Sequence, residues 1–493
     1  MMNKPHIKMK CLGIIGFLAL ICSCQPAENE NEKLPNIIYI IADDLGYGDL
    51  SCYGQEKFNT PNIDRLAARG MIFTQHYAGT TVCAPSRASL MTGMHTGHSY
   101  VRGNRTMNGG QFPLPPEAIT MPKLLKKAGY VTGAFGKWGL GYPGSTGDPL
   151  KQGFDEFFGY NSQGIAHNYY PWELWDNDET FVLEENKGTQ HGLYAPNLIH
   201  QKTMEFIDRH QDTTFFLFVP SIIPHAELFA PADYLEMFME KSSPEPPHHY
   251  ISKFAPEQPY EGIDDPEHPR YKVGGYGSQP HPKAAFAAMV KLLDDQVGEI
   301  LDKLEELGLT ENTLVIFTSD NGPHLEGGAD PDFFNSNGPF QGYKRDLYEG
   351  GIRIPMIASW PGQIAEGSQS AHISAFWDVL PTISELTGIE IPREVDGISF
   401  LPTLLDREQP EHDYLYWEFH EQGGKQAVRM GDWKGIKLNV VKGEPTAFLY
   451  HLKTDPMEKQ DLSKQHPEVL QKILKIMETA RTEDPEWPFI ESE

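Results

Sequence analysis

Short, uninterrupted apolar runs followed by polar residues constrain the fold of this chain more than any other feature. The clearest are Asn36–Ala42 and 314–318, both rich in β-branched residues. Runs of this length without polar alternation are typical of strands buried on both faces of a parallel sheet. Similar runs lie at 130–135, 214–219 and 354–360. A chain of 493 residues with 39% hydrophobic content is long enough to bury such a sheet.

Segments with helical spacing of apolar residues separate these runs. They lie at 60–70, 121–128 and 283–307, and a further strand is predicted at 71–77. The sequence therefore predicts an α/β fold in which a large, mostly parallel central sheet lies between layers of helices. We found no internal repeats.

The pattern changes beyond about residue 395. Short segments of alternating polarity are followed by an amphipathic helix at 467–482. The sequence predicts a main domain at 35–394 and, at 395–493, a small antiparallel sheet covered by one helix. The four predicted strands of this subdomain are 414–419, 426–430, 433–438 and 447–451.

Acidic and amide side chains follow two of the predicted buried strands. Asp43 and Asp44 come directly after the first, and Asp320 and Asn321 follow the run at 314–318. Open α/β sheets place their sites at the carboxyl ends of strands. Taken alone, two adjacent acids after a strand are also typical of a turn or a helix cap.

The pattern from Cys83 to Gly93 predicts a helix with a cysteine at its N-terminus. Pro85 suits the first helical turn, where a missing N–H costs nothing. The free N–H groups at the start of a helix favour an anion. The alternative is a buried structural cysteine before an ordinary helix.

The N-terminus has the features of an export signal. Lys4, Lys8 and Lys10 precede an apolar run at 11–22 that is too short to span a bilayer. The segment 21–24 resembles a bacterial lipoprotein cleavage box, which implies a signal peptide at 1–24 and a lipid on Cys24. Residues 25–34 then form a flexible tether. We expect an exported protein, in the periplasm or at the outer membrane or cell surface, attached to the membrane only by its lipid. The alternative is secretion after cleavage nearby.

Charge and cysteine content narrow the class of partner. The chain carries 41 Lys and Arg against 68 Asp and Glu, a formal net charge of −27. This balance argues against nucleic acid as a partner. It does not exclude an anionic substrate, because a few cations in one cleft can outweigh the overall sign.

Cysteine content bears on disulfide bonds. The cysteines other than Cys52 and Cys83 lie in the predicted signal peptide or carry the predicted lipid. If Cys83 is converted before export, Cys52 has no partner and no disulfide framework exists.

The chain resembles the type I sulfatases, the formylglycine-dependent branch of the alkaline phosphatase superfamily. The core of the resemblance is Cys83-x-Pro-Ser-Arg87 followed by Leu-Met-Thr-Gly, and partner motifs follow in the family's order from Asn36 onward. These are Gly-Lys137-Trp-Gly-Leu-Gly, Pro-His225, Asp320-Asn-Gly-Pro-His and Gln-Gly-Tyr-Lys344. The resemblance implies an alkaline-phosphatase-like fold and oxidation of Cys83 to formylglycine by a maturase.

The resemblance also implies the site residues. One divalent cation is expected, because the side-chain ligands are oxygens without the thiols or histidine pair of a zinc site. Such ligands suit Ca²⁺, and Mg²⁺ less well. The implied ligands are Asp43, Asp44, residue 83, Asp320 and Asn321, and the implied catalytic residues are Cys83, Arg87, Lys137, His225 and Lys344.

The implied mechanism uses the hydrated aldehyde at residue 83. One hydroxyl attacks sulfur in line with the departing alcohol, which His225 or Lys344 protonates. The second hydroxyl of the resulting sulfated hemiacetal then loses its proton and expels sulfate, which restores the aldehyde.

This chain departs from the family's pattern at Gly139, where the motif usually has a histidine that contacts the nucleophile. His167 and His98 are conceivable replacement donors. Residues 152–176 are dense in aromatic side chains, which suit either sugar rings or an irregular core at a sheet edge. The loop at 240–282 is expected to border the substrate cleft. Candidate substrate contacts are Arg102, Asn104, His167 and Asn168, although a solvated loop explains the first two equally well.

The expected substrate is a sulfated carbohydrate. Residues 137–176 resemble a carbohydrate-sulfatase subgroup associated with 4-O-sulfated galactose or N-acetylgalactosamine. Two other hypotheses remain: a phosphate-ester or phosphonate hydrolase on the same scaffold, and a surface lipoprotein that binds glycans without chemistry because Cys83 is never oxidised.

Overall fold

The computed structural model describes residues 1–2, 34–241, 250–441 and 443–489. From Pro35 onward the chain forms one compact unit. The predicted lipid site at Cys24 and nearly all of the predicted signal peptide and tether lie outside the described residues. Among the helices that are described, none combines the length and apolar character needed to span a bilayer.

Within the described ranges the strands are β1 (Asn36–Ala42), β2 (Met71–Tyr77), β3 (Thr106–Met107), β4 (Gly110–Gln111), β5 (Val131–Lys137), β6 (Glu156–Tyr160), β7 (Glu173–Asp176), β8 (Glu179–Val182), β9 (Phe215–Pro220), β10 (Met239–Lys241), β11 (Tyr250–Ser252), β12 (Thr313–Ser319), β13 (Arg353–Ser359), β14 (Ser368–Ser370), β15 (Ser374–Ala375), β16 (Leu415–Phe419), β17 (Lys425–Met430), β18 (Trp433–Leu438) and β19 (Thr446–His451). The α-helices in the same ranges are α1 (Pro61–Ala68), α2 (Cys83–Thr92), α3 (Met121–Lys127), α4 (Ala195–His210), α5 (Ala232–Glu236), α6 (Pro282–Glu306), α7 (Pro331–Phe334), α8 (Glu349–Ile352), α9 (Val379–Thr387), α10 (Leu401–Leu404) and α11 (Pro467–Thr479). Single 3₁₀ turns lie at Ser51–Tyr53, Ile165–His167, Glu184–Asn186, Thr310–Asn312 and Phe376–Asp378.

One large mixed sheet organises the main domain. Its strand order is β14-β2-β13-β12-β1-β9-β5-β6-β7-β8, and β15 also pairs with β2. The five central strands from β12 to β6 are parallel to one another. β13 runs antiparallel to both of its neighbours, and an antiparallel hairpin of β7 and β8 extends the far edge. The predicted mostly parallel sheet is confirmed.

Helices cover the sheet in two groups. Ile38 and Ile40 of β1 belong to a buried apolar cluster with residues of α1, α4 and α6, and these three helices pack together. α2, α3 and α9 form a second group. Because β1 is buried along its whole length, its side chains need no polar alternation.

The strand register brings four polar segments to one edge of the sheet. Ala42 at the end of β1 pairs with Ser319 at the end of β12, and Ile41 pairs with Pro220 at the end of β9. Lys137 ends the adjacent parallel strand β5. Since parallel strands point the same way, the residues after each strand meet beyond their carboxyl ends.

The C-terminal part is the predicted small antiparallel sheet, with strand order β16-β17-β18-β19. Successive residues of β16 divide between its two faces: Tyr416 packs with Ile473 and Met477 of α11, and Trp417 packs with Tyr77 and other residues of the main domain. This alternation explains the pattern of the sequence, because one face needs the helix and the other needs the main domain.

The aromatic segment at 152–176 mostly serves as core. Of its aromatic residues, Phe154, Phe157, Phe158, Tyr160 and Tyr169 are buried, while Trp172 is 39% exposed. The interpretation as an irregular core at the sheet edge therefore accounts for most of these side chains, because β6 and the β7–β8 hairpin extend the sheet at this point.

Candidate active site

Helix α2 places Cys83 at its first position. Val82 before it is extended, and Gly93 ends the helix in the left-handed region at φ 70°. Every residue of the helix is buried. The Ser86 hydroxyl donates to the Asp320 backbone carbonyl at 2.6 Å, so the helix start is attached to the end of β12. Cys83 is therefore fixed beside the carboxyl edge of the sheet.

Three carboxylates and one amide from two strand ends lie beside this cysteine. The Cys83 thiol donates to Asp43 Oδ1 at 3.3 Å. The Asp44 backbone N–H donates to Asp320 Oδ1 at 3.1 Å, and Asn321 Nδ2 donates to Asp44 Oδ1 at 2.7 Å. All four of these acidic and amide residues are fully buried.

Each carboxylate has its own buried cation. Lys137 Nζ lies 2.6 Å from Asp43 Oδ2, and Lys344 Nζ lies 2.7 Å from Asp44 Oδ2. Arg87 Nη2 lies 3.0 Å from Asp320 Oδ2. These charge-assisted contacts fix the positions of three cations around residue 83.

Burial and neighbouring charges set the protonation of the site. Burial and the Asp43 carboxylate raise the pKa of the Cys83 thiol, so the unmodified residue stays protonated and is a poor nucleophile. Burial alone would lower the pKa of Lys137 and of Lys344, but Asp43 and Asp44 outweigh burial and raise both values.

His225 lies in a stack of three imidazoles. Its ring is 4.8 Å from the His167 ring and 5.7 Å from the His324 ring, centroid to centroid. Burial and the Lys344 ammonium lower the pKa of His225 well below its ordinary value. Lys344 Nζ therefore donates to His225 Nε2 at 3.2 Å, while His225 Nδ1 contacts the Ala226 carbonyl.

The donor set fits a hard divalent cation. Asn321 Oδ1 is buried and has no hydrogen-bond partner among the described residues. Burial and Asp43 also raise the pKa of Asp320 to about 7, so added positive charge would favour its ionised form. Carboxylate and amide oxygens are the side-chain ligands of Ca²⁺ and Mg²⁺. Asp43, Asp44, Asp320, Asn321 and residue 83 would hold the ion.

An open cavity of about 550 Å³ leads to Cys83. Lys137, His225 and Lys344 face it from the sheet edge, and Arg270 and Tyr276 reach it from the long loop after β11. Its volume is within the range of small-ligand sites. The remaining lining residues are Asn104, Thr106, Met107, Asn108, Gly109, Gly110, Gln111, Ser162, Gln163, Gly164, Ile165, His167, Val273, Gly274 and Arg345.

Comparison with known families decides what this arrangement is. The family profile described as "Sulfatase" matches residues 35–389, and the profile "N-sulphoglucosamine sulphohydrolase, C-terminal" matches 339–483. The chain belongs to the sulfatase family. Members of this family are sulfuric ester hydrolases that generally use a metal ion and a formylglycine.

Individual proteins are similar to this sulfatase over most of its length. It is 30% identical to the N-acetylgalactosamine-6-O-sulfatase of Bacteroides thetaiotaomicron, over 96% of this chain and 99% of that protein. It is 32% identical to the human N-acetylgalactosamine-6-sulfatase, over 78% of this chain and 68% of that protein. Among solved structures, Ps i-CgsB in complex with k-i-k-neocarrahexaose has a TM-score of 0.75 at 28% identity, covering 93% of this chain and 95% of that one.

The structure of the sulfatase brings most of the predicted site residues together. The predicted metal ligands and the predicted catalytic residues lie around one point at the sheet edge. Asn104 and His167 line the same cavity, and Asn104 Oδ1 accepts from the Ala84 backbone N–H at 3.0 Å. Their contact with substrate stays a prediction.

Other predicted contacts lie away from the cavity. Arg102 is 1% exposed and is not among the residues that line the cavity, and its guanidinium donates to Glu418 and to the Thr482 carbonyl. Asn168 Nδ2 donates to Glu227 Oε1 at 2.8 Å, and the residue lines a neighbouring, smaller cavity. His98 is hydrogen-bonded to Asp396 at 2.8 Å. Local sequence does not reveal these partners, which are distant in the chain.

Sequence reasoning missed other residues of the site. His324 ends the motif that begins at Asp320, so its place in the imidazole stack had a local signal that was not used. Arg270 and Tyr276 belong to the loop expected at the cleft, but nothing in the loop's composition singles them out. Gln163 follows the end of β6 without any motif.

Proposed function

We propose that this sulfatase removes sulfate from a galactose or N-acetylgalactosamine residue of a sulfated glycan. One observation carries the proposal: Cys83 stands at the first position of a buried helix, 3.3 Å from Asp43, among three buried cations and at the base of an open cavity. A sulfate ester is an anion in both its ground state and its transition state, so fixed cations suit it.

Two positions on the sugar are candidates for the ester. The resemblance of residues 137–176 to a carbohydrate-sulfatase subgroup favours O4. The names of the relatives from Bacteroides thetaiotaomicron and human, which are N-acetylgalactosamine 6-sulfatases, favour O6. We keep both candidates, and sulfate release from matched sugars separates them.

The side chains around residue 83 have separate tasks. After conversion to formylglycine, residue 83 supplies the hydroxyl that attacks sulfur. Lys137 and Arg87 stabilise negative charge on the sulfuryl oxygens, because both are held in place by carboxylates before the substrate arrives. Lys344 Nζ donates to His225 Nε2 at 3.2 Å at the cavity, so the proton for the departing alcohol comes from Lys344, either directly or through His225.

Calcium is the proposed ion. The candidate ligands are oxygens from Asp43, Asp44, Asp320 and Asn321, and the unpartnered Asn321 Oδ1 supports a ligand at this point. A flexible set of carboxylates suits Ca²⁺ better than the strict octahedron of Mg²⁺. When bound, the cation would draw charge from the sulfuryl oxygens and lower the pKa of the attacking hydroxyl.

Maturation and location are also proposals. A formylglycine-generating maturase acts on Cys83, and the protein is exported and attached to the membrane through a lipid on Cys24. The basic and apolar pattern before residue 24 supports export. The glycan substrate is then met in the periplasm or at the cell surface.

The test uses the full chain produced together with a formylglycine-generating maturase. Sulfate release is measured from N-acetylgalactosamine 4-sulfate, from the 6-sulfate and from the corresponding phosphate esters. A mass spectrum of the peptide containing residue 83 shows whether conversion occurred. We expect conversion and release of sulfate from one sulfated sugar well above release of phosphate. Faster phosphate release would favour the hydrolase of phosphate esters, and an unmodified thiol in every molecule would favour glycan binding without chemistry.

A further inference from the structure

Gln163 is buried beside the catalytic cavity with an amide that the protein leaves free. The residue is 6% exposed and lines the same cavity as Cys83, Lys137 and His167. Its Nε2 has no hydrogen-bond partner among the described residues. A buried donor without a partner is unfavourable, so its retention at a ligand cavity indicates a partner that arrives with the ligand.

The structure holds the backbone of Gln163 beside the cavity. The Gln163 backbone N–H donates to Gln111 Oε1 at 2.8 Å. The Gln111 backbone N–H in turn donates to the Gly141 carbonyl at 3.0 Å, which joins the segment after β5 to the segment after β6. The backbone position from which the Gln163 side chain extends is therefore held.

Gly139 provides the space for the amide. Its φ of +78° is in the left-handed region, and a Cβ at this position would lie 2.5 Å from Gln163 Nε2 and 2.9 Å from Gln163 Cγ. No larger residue fits at 139 unless the Gln163 side chain moves. The glycine and the glutamine are therefore complementary, and position 139 lies two residues after Lys137.

We infer that Gln163 contacts the substrate: its side-chain amide donates a hydrogen bond to an oxygen of the sulfated sugar when the ester lies at residue 83. This inference rests on the proposed function. It assigns to Gln163 the space that the family's usual histidine at position 139 would need. It also explains why the Gln163 Nε2 is buried and unpartnered at the cavity.

Binding without turnover tests the contact. In the Cys83→Ala background, the dissociation constants of N-acetylgalactosamine 4-sulfate and 6-sulfate are measured by calorimetry with and without Gln163→Met. Methionine has a similar length but no donor, and we expect binding of the preferred sugar to weaken about fivefold or more, the usual effect of losing one hydrogen bond. Gln201→Met, the same change on the exposed surface of α4, is the matched control and is expected to leave binding unchanged.

Further variants control for misfolding and test the dependence of position 139 on Gln163. Melting temperatures identify any variant that fails to fold. Gln163→Glu keeps the shape and replaces the donor with a negative charge, so it is expected to weaken binding of an anionic sugar further. Gly139→Ala is expected to weaken binding when Gln163 is present and to have a much smaller effect in a Gln163→Ala background, because the clash is then absent.

The outcomes separate this inference from the proposed function. If the parent enzyme, carrying formylglycine, releases no sulfate from any sugar, the proposed function fails. If the parent is active and Gln163→Met binds the preferred sugar within twofold of its background, the Gln163 contact is wrong. Equal losses from Gly139→Ala in both backgrounds would overturn the complementarity of the two residues.

Discussion

Two buried clusters of charged side chains, one at the carboxyl edge of the main sheet and one in the C-terminal part, use the same residue types for different purposes. At the sheet edge three carboxylates pair with Arg87, Lys137 and Lys344 beside an open cavity. In the C-terminal part Glu418, which is fully buried, pairs with Arg102 and Arg481. We call the second set, with Tyr416 and His420, the Glu418 cluster.

The clusters differ in how completely their acceptor oxygens are used. Both oxygens of Glu418 accept hydrogen bonds: Oε1 from Arg102 and His420, and Oε2 from Tyr416 and Arg481. At the sheet edge, by contrast, Asn321 Oδ1 has no partner among the described residues. A buried carboxylate whose oxygens are all paired stabilises and specifies a fold, even though Arg481 Nη2 of this cluster has no partner among the described residues. A free buried acceptor costs about 1–3 kcal/mol and is kept where a ligand supplies the partner.

The largest expected effect is the loss of sulfate release in Cys83→Ala. This change removes the precursor of the nucleophile, so we expect sulfate release to fall by at least about 10⁴-fold. The melting temperature should change little, because the thiol makes a single weak contact with Asp43. Sulfate release and thermal unfolding are measured on the same preparation. Activity that persists in this variant would contradict the proposed mechanism.

Removal of divalent cations is expected to have the next largest effect. Chelation should lower kcat by about 10²–10³-fold, because the negative charge that develops on the sulfuryl oxygens is then no longer stabilised by the ion. Activity should return with Ca²⁺ more completely than with Mg²⁺. The free energy of unfolding of a Cys83→Ala sample, measured by denaturant with and without Ca²⁺, reports how much stability the ion adds. Because the Glu418 cluster binds no ion in this scheme, any difference is assigned to the ion at the sheet edge. An enzyme that keeps full activity after exhaustive chelation would show that no cation is needed.

Glu418→Gln is expected to lower stability and to leave activity nearly unchanged, the reverse of what is expected for Cys83→Ala. It leaves Arg102 buried without its counter-charge and removes one of the two acidic partners of Arg481, so we expect a loss of about 3 kcal/mol in the free energy of unfolding. The kcat/KM of the folded enzyme should stay within about twofold, because no atom of the cluster lines the cavity. The matched control is Glu483→Gln, an exposed partner of Arg481, which should cost less than about 0.5 kcal/mol. A loss of activity without a loss of stability would show that the two clusters are coupled.

The smallest effect is the acid sensitivity of the Glu418 cluster. Burial alone would raise the pKa of Glu418, but His420, Arg102 and Arg481 outweigh it and lower the pKa to about 2. Because the folded-state pKa lies below the ordinary value of about 4.5, the unfolded chain binds more protons between these limits. Stability from this group is present above pH 4.5 and is lost as the pH falls toward 2. The free energy of unfolding should depend less steeply on pH in this range for Glu418→Gln than for the parent protein. Equal slopes would contradict the low pKa of Glu418.

The sequence predicted the central strands well because their burial is nearly uniform. The run at 314–318 became β12 (Thr313–Ser319), and 214–219 became β9 (Phe215–Pro220). Helix α4 (Ala195–His210) was not predicted; no capping side chain marks its start. The hairpin of β7 and β8 was also missed, although Asn177 between the strands adopts the left-handed conformation at φ 56° that such turns favour.

The two arginines of the first third of the chain show where sequence reasoning fails. Arg87 was assigned to the site from its motif and pairs there with Asp320. Arg102 was a candidate for the same cavity, but it pairs with Glu418, 316 residues away. A loop arginine carries no local mark of its partner, so its role depends on which segments the fold brings next to it.

The sequence by itself determined the central strands, the family and the residues that its motifs name, because these are properties of short segments. Only the tertiary structure decided that Lys344 meets Asp44 across 300 residues, that Arg102 is used for stability and that Gln163 occupies the space beside Gly139. The physical reason is that burial and hydrogen bonding depend on all neighbours of a side chain, and most of those neighbours here are distant in the chain.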